Sequence, residues 1–176
     1  EIPEGISESV ESIRLASQQL LDEVDSHRKL LAAENENLAI KLSQFNSLGL
    51  LEEVIRLFSR NSGWRNRSIV VEENAEEVKI STDRPLLRRV LCNMVKNALE
   101  ASSEGEEIRL GCAKRNSGCV FRVYNPNFMP RSVQLQVFQR SFSTKGKGRG
   151  IGTYSMKLFG EKYLKGKVWF SSLEEG

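Results

Sequence analysis

Residues 7–46 contain neither proline nor glycine, the two residue types that most often end a helix. Apolar residues recur here, and just before, in steps of three, four or seven: Ile6, Val10, Ile13, Leu20, Val24, Leu31 and Leu38. This spacing predicts a long α-helix with an apolar seam of nearly 3.5-residue period. At ~1.5 Å per residue such a helix would reach about 60 Å, so we expect its seam to pack on another helix.

Charge and hydropathy limit the partners of this chain. Its 176 residues include 26 Lys and Arg and 23 Asp and Glu, a net charge of +3. This small excess gives no support for nucleic-acid binding, for which a clustered basic face is expected. No apolar run approaches the ~18 residues of a membrane helix, and residues 1–4 lack a secretion signal pattern. We therefore expect no nucleic acid and no direct membrane contact of this segment.

The cysteines and the histidine do not form a metal or disulfide pattern. Cys92, Cys112 and Cys119 are odd in number and lack Cys-x-x-Cys spacing. The single histidine, His27, falls on the apolar seam, where a packed or hydrogen-bonded bundle histidine is expected. Small buried thiols are the expected role of the cysteines, and the cytoplasm is the expected compartment.

After Asn46 the pattern changes to shorter elements. Hydrophobic periodicity and turn residues predict helices at 50–58, 83–102, 130–139 and 150–164, a hairpin of strands 68–72 and 78–81, antiparallel strands 107–114 and 119–123, a loop at 141–150 and a strand at 167–171. Strands grouped as hairpins with helices between them predict an α+β fold, with helices on one face of a mostly antiparallel sheet.

The helix predicted at 83–102 has an unusual polar face. Asn93, Lys96, Asn97 and Glu100 stand at offsets of three, four and seven, opposite a wide apolar stripe. Asparagine is a mediocre helix former, so two of them one turn apart suggest a role. Oxygen ligands for Mg²⁺ are one explanation, and a solvated polar face is the other.

A second candidate site is the glycine-rich stretch from Gly146 to Gly152. Glycines allow the backbone to approach an anion closely, and a helix start carries partial positive charge. Lys145, Lys147 and Arg149 add full positive charges. The stretch is not a Walker loop, because it lacks that spacing, and it is not a Rossmann turn, because no strand leads directly into it. A phosphate-binding loop and a flexible surface loop both remain as interpretations.

Three ordered stretches together resemble a known family. Residues 93–101, 138–145 and 148–153 resemble the asparagine box, the phenylalanine box and the second glycine box of the sensor histidine kinase catalytic domain. The resemblance covers roughly residues 47–176, and the preceding helix looks like the second helix of the dimerisation and histidine phosphotransfer hairpin. It implies a Bergerat ATP-binding fold, an α/β sandwich with a mostly antiparallel mixed sheet, preceded by a long α-helix over residues 1–46.

The resemblance also implies roles for individual residues. Asn97 would be the magnesium ligand and Asn93 its companion, with phosphate or water contacts from Lys96 and Glu100. The implied ATP-binding set is completed by Asn125, Asn127, Met129, Phe138, Phe142, Thr144, Lys145, Gly146, Gly148, Arg149, Gly150, Ile151, Gly152 and Thr153. Within it, Phe138 and Phe142 would anchor the lid by packing.

The sequence departs from the family at the first glycine box. Where Asp-x-Gly-x-Gly is expected, the chain reads Tyr124-Asn125-Pro126-Asn127 and has neither aspartate nor glycine. Asn125 can still accept a hydrogen bond from the adenine amine through its side-chain carbonyl. Asn127 tolerates the left-handed backbone that glycine would have supplied. We therefore expect nucleotide binding to be retained.

Another departure concerns the phosphoacceptor. The family places an acidic residue after its histidine, whereas Arg28 and Lys29 follow His27. No catalytic acceptor is therefore expected in this chain, and the acceptor helix is expected upstream of residue 1.

The function implied is transfer of the γ-phosphate of Mg-ATP to that histidine, for relay to a response-regulator receiver domain by a homodimer formed through the long helix. The alternatives are a degenerate scaffold of the same fold and an ATPase of the gyrase and Hsp90 type. The full-length protein could still be membrane-attached through upstream segments.

Overall fold

A computed structural model describes residues 4–59, 64, 66–116, 118–140, 142 and 151–173. The chain divides into two compact units, Glu1–Ala39 and Ile40–Gly176. The first contains helix α1, Glu4–Glu34. The second contains β1 (Ser43–Asn46), α2 (Ser47–Ser59), β2 (Ser68–Val71), β3 (Lys79–Thr82), α3 (Arg84–Ala101), β4 (Glu107–Arg115), β5 (Gly118–Tyr124), α4 (Arg131–Gln134), α5 (Gly152–Lys157) and a π-helical segment (Leu158–Tyr163).

Helix α1 ends twelve residues earlier than the sequence predicts, at Glu34 instead of residue 46. Glu36 adopts a left-handed conformation with φ of 61°. The amides of Asn37 and Glu36 donate to the carbonyls of Ala32 and Ala33, at 2.8 and 3.2 Å. This is the Schellman pattern, which satisfies the last carbonyls of a helix and usually has glycine at the left-handed position. The prediction was wrong because the helix ends here without glycine.

The apolar seam of α1 is exposed in the single chain. Val10, Ile13, Leu20, Val24 and Leu31 are between 54% and 68% exposed. The burial of this seam on another helix therefore remains a prediction.

His27 is exposed in this single chain, and its packing or hydrogen bonding within a helix bundle remains a prediction, as for the rest of the seam.

The described strands form two sheets. β1 pairs antiparallel with β3, so residues 43–46 belong to the second unit. In the other sheet, β4 lies between β2, which is parallel to it, and β5, which is antiparallel. The hairpin predicted for β2 and β3 is wrong: Ala75 donates to the carbonyl of Glu72 in the expected turn, but the two strands enter different sheets. The hairpin predicted for β4 and β5 is confirmed.

Three remaining predictions need correction. The helix expected at 130–139 is helical only over Arg131–Gln134. The helix expected to reach residue 164 begins at Gly152 in the described chain and becomes π-helical at Leu158. Residues 167–171 form no strand with any described neighbour, and a strand requires such a hydrogen-bonded neighbour. The loop expected at 141–150 falls almost entirely outside the described residues.

The core of the second unit lies between helices and the three-stranded sheet. Its buried side chains come from α2, α3 and β4: Leu50, Leu51, Val54, Leu91, Val95, Ala98, Leu99, Ile108, Leu110 and Cys112. Burial of each leucine, isoleucine or valine among them contributes roughly 1.5–3 kcal/mol. The expected α+β layer with helices on one face of the sheet is confirmed, and α3 is held with its opposite face away from the core.

Candidate functional site

Helix α3 carries the asparagine face, and both of its ends are capped. The carboxylate of Asp83 accepts from the amide of Leu86 at 2.9 Å, and Pro85 occupies the first turn. The same carboxylate accepts from the amide of Lys41 at 2.8 Å. At the other end the amide of Ser102 donates to the carbonyl of Ala98 at 3.0 Å. Because such contacts satisfy groups that a helix leaves unpaired, they fix the register of α3 against the core.

The four polar residues of α3 lie outside its buried stripe, as the spacing predicts. Asn93, Asn97 and Glu100 are half-buried, and Lys96 is exposed. The asparagines are therefore not on a fully solvated face. Helix α5 packs against α3 and accounts for part of this cover.

The start of α5 lies beside the two asparagines. A Cβ atom built on Gly152 would lie 4.0 Å from Oδ1 of Asn97. Nδ2 of Asn93 donates to Oγ of Ser155 at 3.2 Å, and that hydroxyl donates to the carbonyl of Gly152 at 2.9 Å. Residues from the first and third sequence motifs are thus brought together although about 60 residues separate them.

The donors at this junction suit a hard cation that keeps most of its own ligands. Oδ1 of Asn97 is a carboxamide oxygen, and the Gly152 backbone beside it carries no side chain. No group of three or more His, Cys, Asp or Glu in the described residues could hold a metal ion. Mg²⁺ fits this arrangement because it is commonly bound by few protein oxygens together with phosphates and water.

In the altered first glycine box, Asn127 makes contacts that the sequence did not predict. Nδ2 of Asn127 donates to the carbonyl of Ala101, at the end of α3, and to Oε2 of Glu106 at 3.0 Å. Asn127 does not have a positive φ, so the left-handed backbone expected there is wrong. The side chain instead joins the segment after β5 to the end of α3. Asn125 is half-buried directly after β5.

Phe138 packs on side chains outside the predicted lid, so its role as a lid anchor remains a prediction. Its ring centroid lies 5.8 Å from that of Phe170, and Nζ of Lys157 lies 5.2 Å from its ring. Phe142 is half-buried. The backbone amide of Met129 donates to Oγ of Ser172 at 2.8 Å, which fixes the chain before α4.

Six of the predicted lid residues lie outside the described residues: Thr144, Lys145, Gly146, Gly148, Arg149 and Gly150. Ile151 and Thr153 flank Gly152 and are half-buried.

Ser155 is the residue of this junction that the sequence analysis missed. It is 3% exposed and bonded to both motifs. A serine three positions after the last glycine, in a helix start, was the available signal. Its partner on α3 could not be read from local spacing.

Glu53 of α2 and Cys92 of α3 have shifted pKa values. Burial raises the pKa of Glu53, but hydrogen bonds and charges from Arg88 and Arg84 outweigh it and hold that pKa below its ordinary value. Nη1 of Arg88 lies 2.8 Å from Oε1 of Glu53. Burial raises the pKa of the Cys92 thiol to about 11, so this cysteine has little nucleophilic character.

Cavity size does not identify the site. A groove of about 790 Å³ lies against the three-stranded sheet and shares no residue with the asparagine face. A cleft of about 240 Å³ beside α5 includes Phe138 and Lys157 but neither asparagine. The candidate site therefore lies at the contacts between α3 and α5 and not in either cavity.

None of the described helices combines the length and apolar character needed to cross a bilayer.

Comparison with known proteins places these contacts in context. Residues 82–176 match the family described as histidine kinase-, DNA gyrase B-, and HSP90-like ATPase. The chain is 33% identical over 127 residues to sporulation kinase C of Bacillus subtilis (strain 168), which covers 70% of this chain and 29% of that protein. It is 28% identical over 146 residues to signal transduction histidine-protein kinase AtoS of Escherichia coli (strain K12), with 76% and 23% covered. The chain thus spans less than a third of either kinase.

A solved structure resembles the fold. The nucleotide-free catalytic domain of histidine kinase ThkA matches with a TM-score of 0.68 and 27% identity, covering 76% of this chain and 89% of that domain. This likeness confirms the expected α/β sandwich.

Proposed function

Because the chain belongs to the histidine kinase-, DNA gyrase B-, and HSP90-like ATPase family, as a catalytic fragment of the sensor histidine kinase type, we propose that it binds Mg-ATP between α3 and α5. The observation that carries this proposal is the contact between the asparagine face and the start of α5. A Cβ atom built on Gly152 would lie 4.0 Å from Oδ1 of Asn97, and Asn93 is hydrogen-bonded to Ser155. ATP binding follows from the family, and the residues assigned to it are our proposal.

Each residue of the junction has a distinct part in this proposal. Oδ1 of Asn97 provides one oxygen ligand for Mg²⁺, which when bound neutralises charge on the phosphates. Gly152 has no side chain, so a phosphate group could approach its backbone closely beside that oxygen. From the family resemblance, Lys145 and Arg149 would add positive charge for the phosphates. Phosphoryl transfer needs mainly such positioning and charge neutralisation from the protein.

Transfer to a protein acceptor is favoured over hydrolysis. In the gyrase and Hsp90 type of ATPase, a glutamate one turn before the magnesium asparagine activates water, and Asn93 holds that place here. A carboxamide cannot act as a general base. The nitrogen of this carboxamide is also engaged by Ser155. The ATPase alternative is therefore disfavoured.

We propose that the acceptor is a histidine outside these 176 residues and that His27 is not the acceptor. Arg28 and Lys29 follow His27 and offer no carboxylate to receive a proton. The nearby Asp25 carboxylate lies 2.7 Å from Nζ of Lys29, so its charge is already paired.

The wider setting is also part of the proposal. Residues 1–46 would contribute a helix to a homodimeric phosphotransfer hairpin, and residues 47–176 would form the catalytic part. Strand β1 (residues 43–46) pairs with β3 and would therefore belong to the catalytic part. The phosphoryl group would pass to a response-regulator receiver domain in the cytoplasm. Cys92, Cys112 and Cys119 are free thiols, which fits that compartment.

A non-catalytic scaffold is the second candidate, and the contacts of Asn127 favour it. Nδ2 of Asn127 bonds to protein partners in a segment where the family binds adenine. Isothermal titration with Mg-ADP separates the two candidates, because a catalytic domain releases heat at micromolar to millimolar nucleotide and a scaffold gives none.

The site assignment is tested by Asn97→Ala, with Asn74→Ala as the control. Asn74 is an exposed asparagine before β3, remote from α3, and accepts from Arg122 at 3.4 Å. We expect Asn97→Ala to abolish Mg-dependent binding while changing stability by less than ~0.5 kcal/mol, and Asn74→Ala to bind like the parent. Parental binding by Asn97→Ala would reject the assignment.

The acceptor proposal is tested with γ-labelled ATP. The chain alone should remain unlabelled, and a chain extended upstream by a helix bearing His-Glu or His-Asp should form acid-labile phosphohistidine. His27→Gln should leave that label intact, whereas Lys145→Ala combined with Arg149→Ala should diminish it. Label on His27 of the present chain would overturn the proposal.

A further inference from the structure

The hydroxyl of Ser155 forms two hydrogen bonds whose directions are determined by its chemistry. A serine hydroxyl has one proton to donate and lone pairs to accept. It donates to the carbonyl of Gly152 at 2.9 Å, in the same helical turn. Its oxygen therefore acts as acceptor for Nδ2 of Asn93 at 3.2 Å. Ser155 is 3% exposed, so water cannot readily replace either partner.

This arrangement determines which end of the Asn93 carboxamide is available to a ligand. The amide has a donor end, NH₂, and an acceptor end, the oxygen, which are nearly alike in shape. With the nitrogen held by Ser155, the oxygen is the end left for a cation or for water bound to it. A reversed amide would present its NH₂ group to the cation. Mg²⁺ is bound by oxygen ligands, so NH₂ could not take that place.

We propose that Ser155 is a positioning residue of the nucleotide site. Its hydroxyl holds the Asn93 carboxamide so that the carboxamide oxygen is available to Mg²⁺ or to water bound to it. The same hydroxyl is bonded to the carbonyl of Gly152, which lies beside Asn97. Ser155 acts through Asn93 and touches neither nucleotide nor cation. This inference rests on the proposed function for its consequence, but the orientation of the amide can be measured without any nucleotide.

The first test is nuclear magnetic resonance of the Asn93 side-chain amide in the nucleotide-free chain. One NH₂ proton should exchange with water about five-fold more slowly than the exposed amide of Asn74, the factor equivalent to one ordinary hydrogen bond. Ser155→Ala should remove this protection, and Ser155→Thr, which keeps the hydroxyl, should retain it. Equal exchange at Asn93 and Asn74 in the parent would refute the proposal without any variant.

The matched control is Ser47→Ala. Ser47 is 0% exposed, and its hydroxyl also donates to a carbonyl, that of Glu76 at 3.0 Å, and accepts from an amide, that of Val78 at 2.9 Å. It lies at the start of α2 and has no asparagine partner. Loss of its hydroxyl should lower stability in the same way as at Ser155 but leave the Asn93 signal unchanged.

The second test measures how much Mg²⁺ strengthens nucleotide binding. Ser155→Ala should reduce that strengthening about five-fold, the equivalent of one hydrogen bond, while Ser155→Thr and Ser47→Ala should not. In an Asn93→Ala background, Ser155→Ala should have no further effect, because its partner is gone. An undiminished effect in that background would assign Ser155 a merely structural role and overturn the proposal.

The two proposals fail in different ways. If the parent chain binds no nucleotide, the proposed function is rejected together with the role of Ser155 toward Mg²⁺. The exchange experiment then still decides whether Ser155 orients Asn93. If nucleotide binds normally and Ser155→Ala keeps the full Mg²⁺ effect, the proposed function stands and the inference is wrong.

Discussion

Replacement of Asp83 by alanine should destabilise the second unit by about 2–3 kcal/mol. Its carboxylate is 7% exposed and accepts two backbone hydrogen bonds, from Leu86 at 2.9 Å and Lys41 at 2.8 Å. Loss of the helix cap costs about 1 kcal/mol. Loss of the second bond leaves the Lys41 amide without its partner and costs a further ~1–2 kcal/mol. At roughly 3 °C per kcal/mol for a domain of this size, Tm should fall by about 6–9 °C.

The two contributions can be separated with Asp83→Ser. Serine keeps a short acceptor for Leu86 but cannot reach the Lys41 amide as well, so about half of the loss should remain. Urea unfolding followed by circular dichroism gives the free energies, and thermal melts give Tm. Asp25→Ala is the control, because Asp25 belongs to an exposed pair with Lys29, whose removal should cost less than ~1 kcal/mol. A loss below ~1 kcal/mol for Asp83→Ala, or equal losses for alanine and serine, would refute this reasoning.

Three further predictions concern charge, thiols and assembly. Because the pKa of Glu53 is lowered, its carboxylate stabilises the fold above its ordinary value of 4.5 and loses this contribution as pH falls through the lowered pKa. The stability difference between the parent and Glu53→Gln should therefore be full at pH 7 and shrink below about pH 4.5, measured by urea unfolding; a constant difference would contradict the shift. Cys92 and Cys119, whose burial raises each pKa to about 11, should react with a thiol reagent at pH 7.5 much more slowly in the folded chain than in denaturant. Equal rates would contradict that burial. The exposed seam of α1 should cause concentration-dependent self-association in sedimentation equilibrium, which Leu20→Asp should weaken and Ser26→Asp should not. A parent that stays monomeric at high concentration would reject the bundle interpretation.

Helix α3 is an element that local sequence patterns predict correctly. Its start after Asp83, its end before Ser102 and its apolar stripe all follow from capping preferences and 3.6-residue periodicity, and the structure confirms them. The β4–β5 hairpin is similar, because Asn116 takes the left-handed conformation in its tight turn, with φ of 51°. These features depend on interactions among residues close in sequence.

The end of α1 shows the limit of the same approach. The sequence has no glycine near residue 36, and the Schellman pattern forms there with glutamate at the left-handed position. Residues 43–46 pair with β3 instead of extending α1, although Phe45 lies seven residues after Leu38 and keeps the helical spacing. Pairing with a strand about 36 residues away outweighs the local preference, and no local pattern reports that partner.

Some properties of the candidate site follow from the sequence, and others depend on the tertiary structure. The types and order of its residues, with Asn93 and Asn97 one turn apart and glycines before α5, are properties of the sequence alone. Tertiary structure decided that Asn93 meets Ser155, 62 positions away, and that Asn127 meets the end of α3, 26 positions away. Side-chain amides can bond to many partners with nearly equal energy, so their partners are selected by how the packed core brings distant elements together.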